Sequence, residues 1–105
     1  MILDKEIESE IIYEDEKIFC IKDINPAAKV HLLIIPKKRI NTINDLEDED
    51  KELIGSMVLV AKNLAKKYEI DESGYRLVWN TNNDGGQTVY HIHLHLLGGE
   101  KLREF

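Results

Sequence analysis

The chain has 105 residues, 43% apolar and 32% charged, which is enough for one compact core and unlike a disordered segment. No apolar run approaches the roughly 20 residues of a membrane helix, and a net charge of −6 argues against a general nucleic-acid binder. The lone cysteine, Cys20, excludes an internal disulfide and a cysteine zinc cluster. It suits a reducing cytosol, and the opening MILDKEIESE shows no basic flank followed by an apolar stretch, so a cytoplasmic location is expected.

Ile2, Leu3, Ile7 and Ile11 read as one face of a short helix or an irregular arm. A short apolar run, Ile11 to Tyr13, leads into a turn at Glu14-Asp15-Glu16. Lys17 to Lys22 is β-prone and is broken at Asn25-Pro26. Val30 to Ile35 reads as a buried strand bounded by Pro36, and the basic Lys37-Lys38-Arg39 after it reads as a solvated turn. Leu53, Ile54, Met57, Val58, Ala61, Leu64, Ala65 and Tyr68 recur at spacings of three and four. They predict a helix over about 46–68, roughly 34 Å long, N-capped by Asp45 or Asp48. Its acidic start and the lysines at 62, 66 and 67 complement the helix dipole.

Tyr75 to Asn80 alternates as a strand, TNNDGGQ at 81–87 is a loop, and Thr88 to Leu97 is the returning strand, ended by Gly98-Gly99. The whole chain, 1–105, reads as one α+β domain. It has an about five-stranded, mainly antiparallel sheet with one long helix on one face.

Three of the four histidines, His91, His93 and His95, occupy alternate positions of that last strand. Residues two apart share a strand face, about 6.6 Å apart. Tyr90, Ile92, Leu94 and Leu96 then form an apolar face for the helix, which leaves the histidine face open. The fourth, His31, lies on the face of Leu33 and Ile35 in a neighbouring buried strand, so all four belong to predicted strands. A metal site is one functional reading, since His-x-His on a strand can supply two ligands, but three histidines in register are too spread for a single zinc ion unless the strand bends, and no carboxylate lies within the motif, so no metal ligands are assigned. Imidazole is nucleophilic and neutral near pH 7, and crowding several together disfavours their charged forms. In the preceding loop, Asp84-Gly85-Gly86-Gln87-Thr88, the glycines permit close backbone approach to a phosphate. Gln87, Thr88 and backbone amides are the expected donors.

His91-Ile92-His93-Leu94-His95-Leu96-Leu97 resembles the motif of the histidine triad (HIT) family of nucleotide hydrolases and transferases. DGGQTVYHIHLHLLGG at 84–99, DINPAAKVHLLIIPKKRI at 23–40 and RLVWN at 76–80 are similar to its Hint-type branch. The resemblance implies a HIT-like fold, a homodimer through the long helix and an edge strand, and an AMP-type nucleotide as ligand with no cofactor required. It implies that His93 attacks the α-phosphorus, that the backbone carbonyl of His91 orients His93, that His95 contacts the phosphate, and that His31 supports the cluster. Thr88 would assist the leaving group. Asn80 and the Val89 amide would bind phosphate oxygens, Asp23 the ribose hydroxyls, and Ile24 and Leu33 the base. A histidine at 95, where the transferase branch has glutamine, implies hydrolysis, and Gly98-Gly99 implies the Hint-type branch. Nucleoside 5′-phosphoramidates are then the expected substrates. Nucleotide anhydrides such as dinucleoside polyphosphates, or nucleotide binding without turnover, are the alternatives.

Overall fold

A computed structural model describes residues 10–104. Of the expected N-terminal apolar face, Ile2, Leu3 and Ile7 lie outside the described residues. Strands β1 (Ile11–Glu14), β2 (Ile18–Lys22), β3 (Val30–Pro36), β4 (Tyr75–Val78) and β5 (Leu94–Gly98) form one five-stranded sheet, and helix α1 runs Lys51–Lys67. The spatial order is β1-β2-β3-β5-β4, and every neighbouring pair is antiparallel. This is the expected α+β architecture. Its first turn is fixed by Asp15, whose Oδ1 accepts from the amides of Lys17 at 2.8 Å and Ile18 at 2.9 Å.

Alternation in β3 and β5 separates two faces. Leu32, Ile34, Leu94 and Leu96 join Ile18 and Cys20 in a core with Met57, Val60, Ala61, Leu64 and Ala65 of α1. On the other face Leu33 and Ile35 pack with Phe19 and Ile21. In the β3–β5 register His31 faces Leu97 and Leu33 faces His95. His31 and His95 are therefore diagonal neighbours on the face away from the helix, within reach of each other's rings.

Three expectations are corrected. The helix starts at Lys51, not 46, because Ile43–Asp45 and Asp48–Asp50 form two tight 3-10 turns. Asp45 caps backward, accepting from the Thr42 amide at 3.1 Å and hydroxyl at 2.9 Å. Asp48 opens the second turn, and Asp50 stands at the N-cap of α1, accepting from the Glu47 amide at 2.9 Å and from Lys38 Nζ at 2.5 Å. The β4 strand ends at Val78 rather than Asn80.

The third correction concerns the returning strand, which spans Leu94–Gly98 rather than 88–97. His91 and His93 precede it, because the Ile92 amide donates to Ile40 O at 2.8 Å instead of to β4. Tyr90 accordingly leaves the expected apolar face and is 42% exposed.

Candidate functional site

Lys37 and Lys38 form internal ion pairs. Lys37 Nζ meets Glu14 at 2.7 Å, and Lys38 Nζ meets Asp50 at 2.5 Å and Glu49 at 3.3 Å. The 330 Å³ cavity beside them, lined by Lys17, Lys37, Lys38, Glu49 and Asp50 among others, contains none of the histidines. Cys20 is fully buried and its thiol is pushed up to about 12 by burial, so it is no nucleophile.

Hydrogen bonds assign a tautomer to each histidine. His93 Nδ1 lies 2.9 Å from His91 O. A carbonyl only accepts, so Nδ1 carries the hydrogen and Nε2 keeps its lone pair. His91 Nε2 lies 2.7 Å from Pro36 O and carries the hydrogen there; its Nδ1 is buried with no hydrogen-bond partner. His31 Nδ1 accepts from the Ala27 amide at 2.9 Å, so its hydrogen is on Nε2, 2.9 Å from His95 Nδ1. His95 must therefore accept at Nδ1 and carry its hydrogen on Nε2. Its ring meets that of His93 edge-on at 4.9 Å. One ring thus offers a bare nitrogen and its neighbour an N–H, as a phosphorus electrophile and its oxygens require.

Asp23 joins the cluster from the β2–β3 turn, with Oδ2 3.4 Å from His31 Nε2 and Oδ1 accepting from the Asn25 amide at 2.8 Å. This carboxylate reaches the histidines although none lies within their motif. Ligand atoms of Asp23, His31 and His95 lie within 4.8 Å of one another, the size of a metal site. The tautomers do not fit one. A cation on His31 Nε2 would force that ring's hydrogen onto Nδ1, where the Ala27 amide already donates.

Of the other expected residues, Leu33 is buried beside His95 and Ile24 is 63% exposed. Thr88 is exposed and Val89 half-buried. Asn80 Nδ2 donates to Gly85 O at 2.7 Å, tying the end of β4 to the loop. Gln87, expected to offer donors to a phosphate, is instead committed internally. Its amide donates to Asn41 O at 2.7 Å and Val89 O at 3.1 Å and accepts from the Asn82 N–H at 2.8 Å. The amides of Gly86 and Gln87 close the same loop on Asn83 O and Asn82 O, each at 3.0 Å. Gln87 is thus a brace for the loop that leads into the histidines. Pro36 O, Ala27 N and Asn41 O, which fix His91, His31 and Gln87, are backbone atoms with no sequence signature.

A model of the HIT domain matches residues 4–102. The chain belongs to the HIT domain family. It is 48% identical over 101 residues to the purine nucleoside phosphoramidase of Escherichia coli K12, covering 96% of this chain and 85% of that protein. A HIT family hydrolase structure from Legionella pneumophila Philadelphia 1 superposes with a TM-score of 0.91 at 52% identity, covering 97% of this chain and 91% of that one. A histidine triad protein from Clostridium difficile superposes at 0.92 with 36% identity, covering 99% and 90%.

Two predictions arise from this HIT site. A Cβ on Gly85 would sit 2.9 Å from Thr81 N and closer still to Thr81 O, backbone atoms that cannot swing away. Gly85→Ala is expected to deform the 81–87 loop at a cost of about 1–3 kcal/mol and lower kcat/KM about tenfold or more. Gly55→Ala in α1, with nothing within 4 Å of the new Cβ, is the control, expected to leave kcat/KM unchanged.

The second concerns acid. Burial lowers the pKa of His31 and His91 and brings His95 to about 4. An unfolded histidine protonates near 6.5, so between these values the unfolded chain binds more protons. The stability these rings contribute is present above about pH 6.5 and is lost as pH falls toward 4. Asp15 and Asp50 stay ionised across this window: the Tyr13 hydroxyl bonded to Asp15, and Lys38 bonded to Asp50, hold them below the usual carboxylate range. For His95 alone, discounting for partial exposure, we expect a loss of about 1 kcal/mol from pH 7 to 5, read from urea midpoints. A midpoint that rises on acidification contradicts the burial of these rings in their neutral form.

Proposed function

We infer that the protein is a nucleotide hydrolase that cleaves the P–N bond of nucleoside 5′-phosphoramidates of the AMP-amine or AMP-lysine type. The observation that carries this is the 2.9 Å bond from His93 Nδ1 to His91 O, which leaves Nε2 as a lone pair at the surface of the cluster. His93 Nε2 attacks the α-phosphorus, the P–N bond breaks, and the amine leaves with a proton relayed from solvent through the Thr88 hydroxyl, which solvent regains when water attacks in the second step. Water then attacks the nucleotidyl-imidazole, releasing the nucleoside monophosphate and restoring the lone pair. Each displacement is easier than the direct attack of water. His95 Nε2–H, Asn80 and the Val89 amide hold phosphate oxygens. Asp23 takes the ribose hydroxyls, and Ile24 with Leu33 takes the base. The relative's name, purine nucleoside phosphoramidase, supports the same substrate class.

No metal takes part in this reading, since the Ala27 amide at Nδ1 and the hydrogen on Nε2 leave His31 no lone pair for a cation. The protein works as a homodimer. Supporting this are the outer edge of β4, at the end of the sheet, and the exposed apolar Val58 (38%) and Leu59 (58%) on α1. The free Cys20 fits the cytoplasm, and among the described residues no helix is long and apolar enough to cross a membrane.

The test compares kcat/KM for an adenosine phosphoramidate and a diadenosine polyphosphate, each with and without EDTA. We expect the P–N substrate to be favoured by about tenfold or more, unchanged by chelation. Preference for the P–O–P substrate, or activity lost in EDTA, overturns the reading.

A further inference from the structure

The hydrogen-bond chain through His95 starts from a single hydrogen that is bonded to His95 and also faces the Asp23 carboxylate. The Ala27 amide occupies His31 Nδ1, so the ring's one hydrogen is on Nε2. That nitrogen lies 2.9 Å from His95 Nδ1 and 3.4 Å from Asp23 Oδ2. Asp23 Oδ1 already accepts from the Asn25 amide, so the unspent acceptor of this carboxylate faces His31. A neutral imidazole has one N–H, and any share drawn by Asp23 is lost to His95. Hydrogen bonds in series polarise one another, so the better His95 Nδ1 accepts, the stronger the N–H its Nε2 offers.

We propose that Asp23 and His31 couple the sugar end of the site to its phosphate end. A ligand hydroxyl donated to Asp23 Oδ2 releases the His31 hydrogen to His95, and His95 grips the phosphate more strongly. The inference rests on the nucleotide-hydrolase reading above. His31 is a positioning residue here, acting only through His95. It sits where such a role requires: its side chain is 6% exposed, whereas that of Asp23 is 21% exposed and open to a ligand. Sugar hydroxyls then contribute to the chemical step as well as to binding.

Binding and kinetics together test this on the full chain. Protein with 15N-labelled imidazoles is saturated with AMP and with 2′,3′-dideoxy-AMP, and the matching phosphoramidates are assayed. We expect AMP to shift the His31 Nε2 and His95 Nδ1 resonances further than the dideoxy nucleotide does. We expect the dideoxy substrate to lose about tenfold in kcat, and Asp23→Ala to erase the spectral difference. The wild-type comparison stands alone if that variant is unstable. Identical imidazole spectra, with the hydroxyls changing only KM, overturn the coupling and leave the hydrolase reading intact. Failure of both nucleotides to bind overturns both.

Discussion

His93→Ala is expected to lower kcat for an adenosine phosphoramidate by at least about 10³-fold with the fold unchanged. His93 is only half-buried, and its one bond within the cluster is to a neighbouring carbonyl, so little packing is lost. What disappears is the only ring nitrogen in the cluster with a free, reachable lone pair. The lone pairs of His31 and His95 are both occupied, by the Ala27 amide and the His31 N–H, and the bare Nδ1 of His91 is buried. No neighbouring histidine can substitute. His91→Ala should behave differently. His91 orients His93 through its backbone carbonyl, which alanine retains. The residue is 4% exposed and its ring is bonded to Pro36 O. Loss of His91 is therefore expected to cost stability first, by about 1–3 kcal/mol for the stranded carbonyl and the cavity, with much of kcat kept. Single-turnover kinetics and urea unfolding of both variants separate these roles; equal kcat losses would refute them.

Leu94→Ala is expected to destabilise the protein by about 2–5 kcal/mol, the range for a fully buried leucine whose site cannot collapse. Leu94 is 0% exposed, pairs with Ile34 in β3, and lies in the core with Met57 and Ala61 of α1. It stands between His93 and His95, so the contact that pins the strand to the helix also sets the register of the two rings. A slip of one residue would turn the histidines into the core. Urea unfolding measures the loss, and kcat/KM at low temperature measures the looser site. Ile24→Ala is the comparison. At 63% exposure it is expected to change stability by less than about 0.5 kcal/mol and to act on nucleotide KM alone. A Leu94 variant as stable as the Ile24 variant would contradict the packing described.

The expected and observed elements differ where hydrogen-bond partners carry no mark in the sequence. Alternation extends the last strand back to Thr88, yet the Ile92 amide finds Ile40 O, and nothing local distinguishes that partner from a β4 carbonyl. Gln87 reads as a phosphate donor beside two glycines. Only the positions of Asn41 O, Val89 O and the Asn82 amide show its side chain fully committed. The helix start was blurred because acidic residues suit a helix N-terminus and a tight turn equally. The Thr42–Asp45 bonds decided for the turn.

The sequence by itself determined the architecture and the faces. A period of two in β3 and β5 and of three to four in α1 specify which residues pack and which remain for chemistry, because side-chain direction follows local backbone geometry. It also determined the family, through the triad and its flanks. Tertiary structure alone decided the protonation pattern. Which nitrogen carries hydrogen depends on Pro36 O for His91, on Ala27 N for His31 and, through His31, for His95, all brought from β3 and the turn before it. The same pairing of β3 with β5 brings His31 onto His95, and so gives four similar side chains different hydrogen-bonding states.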